Sequence, residues 1–372
     1  MYRKTVVFAS VRRNFKSRRC RKYYKKTGKI FILLFTNSYF VLFLNGETSV
    51  KNEYCGKSKL HVLSISCGNL IQGDKMKEFR GIIPPAITPL TATRELDVAG
   101  LERLIEHMIA GGIHGLFVLG TTGEGPAVGY KVQRDMVRES IRIVNNRIPV
   151  LVGISSAACQ ESVEQTQFAF ECKANGVVAA PPCYFNLGEP ELFDYYKYLA
   201  ETSKLPLFVY NMPSMTKVYM KPSLIQKLSA IPNIRGYKDS SANMPDFHEV
   251  LLSLKDREDF SIFVGPEELL GESVLFGADG GVSGGANLNP EIFVGMYNAA
   301  LAGNIAKMQE IQQKIYAQRK LYSLGSFQSS MIKGLKSALA QNGICQDYLA
   351  APFNHFEKPH ADEVKKILDK LA

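Results

Sequence analysis

The sequence of 372 residues lacks several features that would point to particular classes of protein. It contains no tryptophan, and its seven cysteines include no CxxC pair. Their odd number and irregular spacing argue against a disulfide framework and against a structural zinc site. The six histidines form no HExxH motif or comparable cluster. The sequence therefore offers no metal signature.

Positive charge is concentrated at one end of the chain. The formal net charge is +10, from 45 basic and 35 acidic side chains. Residues 1–75 hold sixteen Lys and Arg against three acids and carry +13, so the remaining 297 residues carry −3. The longer part is mildly acidic, which argues against a nucleic-acid partner. Its apolar content, within a chain that is 46% hydrophobic, excludes global disorder.

The basic leader, residues 1–75, contains one apolar stretch at residues 30–44, which reads IFILLFTNSYFVLFL. These 15 residues fall short of the roughly 20 that a membrane-spanning helix needs. No small-x-small cleavage pattern follows, as a signal peptide would require. We expect the leader to lie outside the fold, with Met76 as a candidate start, and the protein to be cytoplasmic. A membrane-anchored or exported form is the alternative.

The rest of the chain alternates short apolar runs with longer stretches of helical periodicity. Several runs, such as GLFVL, PVLVG and PLFVY, are continuously apolar, which is typical of parallel strands buried on both faces. Most successive strand ends lie 27 to 33 residues apart. Eight such units predict a (β/α)8 TIM barrel over residues 76–302, followed by C-terminal helices over residues 303–372. The predicted strands cover residues 82–87, 115–119, 150–154, 177–180, 206–210, 234–238, 261–264 and 280–282.

Reactive side chains in such a barrel are expected at the C-terminal ends of the strands. Lys238 ends the sixth predicted strand, where a buried ammonium is costly. It must either pair with an acid or act as a partly neutral nucleophile. Tyr210 ends the fifth strand and could serve in the core or in catalysis. Thr121 and Thr122 lie in a glycine-rich turn that could hold a carboxylate or be an ordinary connection.

Together these side chains suggest one chemistry. A lysine attacks a ketone to form an imine, which is an electron sink for making or breaking an adjacent C–C bond. A tyrosine can transfer protons, and the Thr-Gly turn can orient a keto acid by its carboxylate. The sequence therefore predicts a Schiff-base aldolase.

Four segments carry a resemblance to a known family. They read GTTGEG at 120–125, YNMPS at 210–214, GYKDSS at 236–241 and GADGGVSGGAN at 277–287. In this order and at these strand ends, they resemble the dihydrodipicolinate synthase / N-acetylneuraminate lyase family of class I pyruvate-dependent aldolases. The resemblance covers nearly all of residues 76–372.

The resemblance implies a role for each reactive residue. Lys238 forms the Schiff base with pyruvate or the 2-keto acid, and Tyr210 is the acid/base. Thr121 and Thr122 bind the carboxylate, with Thr121 in the proton relay. Tyr184 matches a tyrosine that, in the synthases, completes the relay from a neighbouring subunit. The resemblance also implies a homotetramer, a dimer of dimers, that needs no metal and no organic cofactor.

Departures from the family pattern bear on the substrate. Met215 stands where the synthases carry an arginine, and a thioether cannot bind a carboxylate in bidentate fashion. An apolar residue there resembles the neuraminate lyases and the 2-keto-3-deoxy sugar acid aldolases. Ser240 and Glu267 match positions that contact sugar hydroxyls in the lyases, and Glu268 follows in the same pattern. Gly284 replaces a serine that those lyases use.

We therefore predict a carbon–carbon lyase that acts on a 2-keto-3-deoxy sugar acid or a related acyl-sugar acid. Gly123 and Val282 complete the predicted substrate-binding residues. The alternatives are a dihydrodipicolinate synthase that condenses pyruvate with aspartate semialdehyde, a keto-deoxy acid dehydratase and, more distantly, an inactive barrel used as a scaffold. The expected partners are small molecules and further copies of the chain.

Overall fold

The computed structural model describes residues 79–371 and, in the leader, the backbone of four short strands. These are β1 (Ile32–Phe35), β2 (Ser38–Val41), β3 (Val50–Cys55) and β4 (Ser58–Leu63), which form an antiparallel sheet in the order β2-β1-β4-β3. The rest of the leader, with most of its basic residues, lies outside the described residues. The chain divides into two compact units, Met1–Met76 and Lys77–Ala372. Among the described residues, no helix has the length and apolar character needed to span a membrane.

The second unit is built on eight parallel strands. They are β5 (Gly81–Ile82), β6 (Leu116–Val118), β7 (Val150–Gly153), β8 (Gly176–Ala179), β9 (Leu207–Asn211), β10 (Ile234–Asp239), β11 (Ser261–Val264) and β12 (Gly280–Gly281). The sheet runs β5-β12-β11-β10-β9-β8-β7-β6. A parallel bridge between Pro85, just after β5, and Phe117 of β6 joins its two edges. The predicted (β/α)8 barrel is therefore confirmed.

Helices alternate with the strands and continue beyond the last of them. Those that follow the barrel strands are α1 (Val98–Ala110), α2 (Tyr130–Val144), α3 (Cys159–Glu171), α4 (Glu189–Thr202), α5 (Pro213–Thr216), α6 (Pro222–Ser229), α7 (Met244–Ser253), α8 (Leu270–Leu275) and α9 (Pro290–Leu301). The C-terminal helices are α10 (Ile305–Arg319), α11 (Ser330–Gln341) and α12 (Lys358–Leu371). Short 3₁₀ turns cover Glu267–Leu269, Gly284–Asn287 and Lys320–Ser323.

The first barrel strand is much shorter than the six residues predicted from its apolar run. Pro84 and Pro85 lie in the middle of that run and cannot donate a backbone hydrogen bond to a neighbouring strand. The regular strand therefore stops at Ile82, and the chain continues as the irregular segment that carries the closing bridge. The other seven predicted strands match the observed ones to within one residue at either end.

Each barrel strand has one face toward the barrel interior and one toward the helices. In β9, Phe208 and Tyr210 belong to the interior cluster, whereas Leu207 and Val209 belong to the outer core. Burial on both faces explains why the strands are continuously apolar. The interior cluster consists of Phe79, Ile83, Phe117, Leu151, Val178, Ala180, Phe208, Tyr210, Phe263 and Val282.

Phe79 contributes to the interior cluster from outside the strands. Its ring packs edge-to-face on Phe208 with centroids 5.0 Å apart, and its carbonyl accepts a hydrogen bond from Ser261 Oγ at 2.8 Å. We expect Phe79→Ala to lower the free energy of unfolding by about 3 kcal/mol, because it leaves a cavity among rigid neighbours. Denaturant unfolding measures this loss. Phe327→Ala is the matched control, since Phe327 is 79% exposed. Equal losses in the two variants would contradict this role of Phe79.

Candidate active site

Lys238 lies inside the barrel, near the C-terminal end of β10. In the strand register it is directly opposite Tyr210 of β9. The Lys238 Nζ atom lies 4.0 Å from the centroid of the Tyr210 ring and 5.1 Å from that of Phe117. Only 5% of Lys238 is exposed. The amine is thus enclosed by aromatic faces in the interior of the barrel.

The surroundings of Lys238 bear on the two roles that the sequence allows for it. Asp239, the next residue, points to the other side of the strand and is bonded to other groups. Lys238 forms no ion pair with an acid of the described residues. Burial lowers the pKa of Lys238 below the usual value for lysine, and Tyr210 acts in the opposite direction. The environment therefore favours a neutral, nucleophilic amine.

The turn after β6 brings hydroxyl groups to the same region. Thr121 Oγ1 lies 3.4 Å from the Tyr210 hydroxyl, so the two can share a proton. Thr122 is buried beside it. Thr88 Oγ1 donates a hydrogen bond to the Gly123 carbonyl at 2.5 Å. A Cβ atom at position 123 would lie 2.6 Å from the Ala86 carbonyl oxygen, so only glycine fits there.

Asn211 and Asp239 fix the relative positions of Tyr210 and Lys238, a role that was not predicted from the sequence. The two residues are opposite each other in the register of β9 and β10, one step beyond the Tyr210–Lys238 pair. Asn211 Nδ2 donates to Asp239 Oδ1 at 2.8 Å. Strand alternation places this pair on the outer side when its neighbours point inward. The sequence could have indicated this role, because Asn211 and Asp239 directly follow Tyr210 and Lys238 in the motifs YNMPS and GYKDSS.

Asp239 also accepts hydrogen bonds from its own strand and from the loop that follows it. Tyr237 donates its hydroxyl to Asp239 Oδ1 at 2.9 Å, and Ser241 donates its hydroxyl to Oδ2 at 2.8 Å. Burial raises the pKa of Asp239, and the hydrogen bonds from Ser241, Asn211 and Tyr237 act against that rise. The buried network makes the end of β10 rigid where Lys238 projects inward.

The two acids predicted to meet sugar hydroxyls are placed differently from each other. Glu267 is buried, and its Oε2 accepts the Gly285 backbone N–H at 2.8 Å. Burial raises the pKa of Glu267 to about 7, opposed first by that hydrogen bond. Glu268 is instead held in an ion pair with Arg319 of α10 at 2.7 Å. One acid thus joins two barrel loops, and the other joins a loop to the C-terminal helices.

The remaining predicted site residues range from buried in the barrel interior to exposed on the surface. Val282 belongs to the interior cluster with Tyr210. Ser240 packs against Gly265, the residue directly after β11, where a Cβ atom would collide with the Ser240 hydroxyl. Met215 is on α5, directly after β9, and is 38% exposed. Tyr184 is 82% exposed, so within one chain it is not enclosed with Lys238.

We expect Asp239→Ala to lower the free energy of unfolding by about 2 kcal/mol, because it leaves buried donors on Asn211 and Tyr237 without their acceptor. It should also slow the imine formation expected at Lys238, since the side-chain bond that joins the ends of β9 and β10 is lost. Denaturant unfolding and borohydride trapping measure the two effects. Asp256→Ala, at an exposed position, is the control. Trapping as fast as in the control would show that Asp239 does not position the amine.

Comparison with known proteins gives a consistent result. The model of the dihydrodipicolinate synthetase family matches residues 78–371. The probable 2-dehydro-3-deoxy-D-pentonate aldolase YjhH of Escherichia coli K12 is 32% identical over 260 residues, which cover 69% of this chain and 86% of that protein.

Solved structures agree with the sequence match. The dihydrodipicolinate synthase of Bacteroides thetaiotaomicron is 48% identical, with a TM-score of 0.76, over 78% of this chain and 98% of that one. YagE of Escherichia coli K12, solved in complex with pyruvate, is 29% identical, with a TM-score of 0.75, over 79% of this chain and 98% of that one. The predicted enzyme class, a carbon–carbon lyase, agrees with these relatives. The chain belongs to the dihydrodipicolinate synthetase family.

Proposed function

We propose that the protein is a pyruvate-dependent Schiff-base aldolase that cleaves a 2-keto-3-deoxy sugar acid or a related acyl-sugar acid. The main support for the proposal is the amine of Lys238, which is buried beside the Tyr210 ring and has no acidic partner within residues 79–371. The hydroxyl of Thr121, 3.4 Å from that of Tyr210, extends the pair into a path for protons.

Imine formation uses the neutral amine. Lys238 Nζ attacks the C2 carbonyl of the keto acid, and the oxygen takes up a proton to give a carbinolamine. That oxygen takes a second proton from the Tyr210 hydroxyl and leaves as water, so an iminium ion joined to Lys238 and a tyrosinate at Tyr210 remain. The turn at Thr121 and Thr122 supplies hydroxyl and backbone N–H groups that can hold the substrate carboxylate in place.

Cleavage follows from the electron demand of the iminium ion. The C3–C4 bond breaks, its electron pair moves to C3 and into the C=N⁺ group, and an enamine forms. The C4 hydroxyl loses its proton to Tyr210 as C4 becomes the aldehyde that departs. The enamine takes a proton at C3, and hydrolysis of the resulting imine releases pyruvate and restores the amine of Lys238.

The choice of substrate rests on Met215. It stands on α5 at the C-terminal end of β9, where an arginine would bind a second carboxylate. A partly exposed thioether offers apolar contact instead. Among the relatives, the probable pentonate aldolase YjhH and the putative 2-dehydro-3-deoxy-D-gluconate aldolase YagE are both named for keto-deoxy sugar acids. Ser240, Glu267, Glu268, Gly123 and Val282 are the further residues proposed for this end of the substrate.

A synthase activity is the second candidate. The 48% identical structure from Bacteroides thetaiotaomicron is described as a dihydrodipicolinate synthase. Condensation of pyruvate with aspartate semialdehyde would use the same iminium and enamine at Lys238. The two candidates differ in the aldehyde, and therefore at Met215.

Assembly into a tetramer is part of the proposal. Tyr184 and Phe185 form an edge-to-face pair with centroids 5.2 Å apart on the loop after β8, and both are exposed in one chain. Large exposed aromatic pairs are favoured at subunit contacts. Contact with a second copy would bury this pair and could bring a tyrosine to the proton path of that copy.

Borohydride treatment with pyruvate should leave one reduced adduct on Lys238, located by peptide mass spectrometry. The rate of adduct formation should rise with pH as the amine loses its proton. Because burial lowers the pKa of Lys238, the midpoint should lie below the ordinary lysine value of about 10.4. Lys238→Arg should give no adduct. An unmodified Lys238 in the wild-type chain would rule out the mechanism.

We expect the kcat/KM for cleavage of at least one 2-keto-3-deoxy sugar acid to exceed that for condensation with aspartate semialdehyde by about tenfold or more. Met215→Arg should move this ratio roughly tenfold toward condensation, because it adds a carboxylate-binding group. Met215→Leu is the control and should leave the ratio unchanged. A panel of keto acids and aldehydes measures both reactions. Much faster condensation by the wild-type chain would favour the synthase.

A further inference from the structure

A buried ion pair connects the carboxylate-binding turn to the C-terminal helices. Glu124 follows Gly123 in the turn, and Lys336 lies on α11. Lys336 Nζ is 2.5 Å from Glu124 Oε1, and both side chains are fully buried at 0% exposure. Because removing one partner would leave an uncompensated charge in the core, each residue strongly constrains the other.

Further hydrogen bonds extend the pair to the segment after α11. Glu124 Oε2 accepts the backbone N–H of Ala350 at 2.8 Å. Lys336 Nζ donates to the carbonyl of Tyr348 at 2.6 Å. The turn, the helix and the segment at residues 348–350 therefore meet at one buried polar centre. The other ion pairs of the described residues lie nearer the surface, with both side chains at least partly exposed.

The backbone of the turn depends on support of this kind. Glu124 has a φ of 56°, in the left-handed region that side chains other than glycine rarely adopt. Such a conformation persists only where the surrounding structure holds it. The side chain of Glu124 is anchored at both oxygens, and its neighbour Gly123 is anchored by Thr88. Thr121 and Thr122 thus belong to a turn that is held from two sides.

The charges have a second consequence for an anionic substrate. An unpaired carboxylate at position 124 would repel a substrate carboxylate bound at the same turn, and its field is poorly screened in the interior. Lys336 neutralises that charge within the protein. Burial lowers the pKa of Lys336, and the charge of Glu124 opposes that effect.

We infer that Lys336 is a positioning residue for the substrate carboxylate, acting through Glu124 on the turn at Thr121 and Thr122. The C-terminal helices are thereby part of the substrate site, although Lys336 itself does not touch the substrate. This inference rests on the proposed function, since it needs a keto acid bound at the turn.

Lys336→Met tests the inference in the full-length chain, with borohydride trapping at increasing concentrations of pyruvate as the readout. The half-saturating concentration of pyruvate should rise about tenfold or more, since small displacements of a binding group have effects of this size or larger. For methyl pyruvate, which lacks the carboxylate charge, it should change less than threefold. Lys333→Met, on the same helix, is the matched control and should leave both values unchanged. Lys336→Gln, which can still donate to Tyr348, serves if Lys336→Met does not fold.

The double variant Glu124→Gln with Lys336→Met buries no unpaired charge. Its half-saturating concentration of pyruvate should therefore lie within about threefold of the wild-type value. A Lys336 variant that matches Lys333→Met for pyruvate, even with a lower melting temperature, would show a purely structural pair and overturn the inference alone. Equal losses for pyruvate and methyl pyruvate would overturn it as well. A wild-type chain that forms no adduct on Lys238 would instead overturn the proposed function and the inference together.

Discussion

The burial of one amine at the end of β10 is the constraint on which the rest of the site depends. Lys238 is surrounded by the rings of Tyr210 and Phe117 and has no acidic partner among the described residues. A charged ammonium is unfavourable there, so the barrel favours the form of the amine that can attack a carbonyl. The barrel makes this possible because its strands are buried on both faces. A side chain near the end of one strand can therefore lie in the apolar interior while the surrounding strands and helices stabilise the fold.

Polar support for the site lies behind the reactive side chains. Asn211 and Asp239 join the outer faces of β9 and β10, so that Tyr210 and Lys238 face each other on the inner side. The ion pair of Glu124 and Lys336 joins the turn at Thr121 and Thr122, the proposed carboxylate site, to the C-terminal helices. Buried networks whose members are all bonded make their surroundings rigid. Both networks thus consist of groups that lie behind the residues proposed to contact the substrate.

The side chains proposed to contact the part of the substrate away from the keto acid lie outside the barrel strands. Met215 lies on a short helix after β9 and is partly exposed, and Glu267 and Glu268 lie in a loop turned toward other loops and helices. Loops at the C-terminal face of a barrel can vary while the strands stay the same. Such loops can therefore differ between the relatives named as synthases and those named as sugar acid aldolases while the barrel stays the same.

The barrel could be predicted from the sequence, because eight evenly spaced apolar runs favour closure of a parallel sheet. Lys238, Tyr210 and Thr121 could be singled out because they lie at or just after the C-terminal ends of strands. The sequence did not predict the early stop of β5 at Ile82, although Pro84 and Pro85 were visible as its cause. Two contacts could not be predicted: Glu124 pairs with Lys336, 212 residues further along the chain, and Glu267 accepts a hydrogen bond from Gly285. Pairs of this kind leave no periodic signal in the sequence, since they arise when separate elements pack together and buried charges must find partners there.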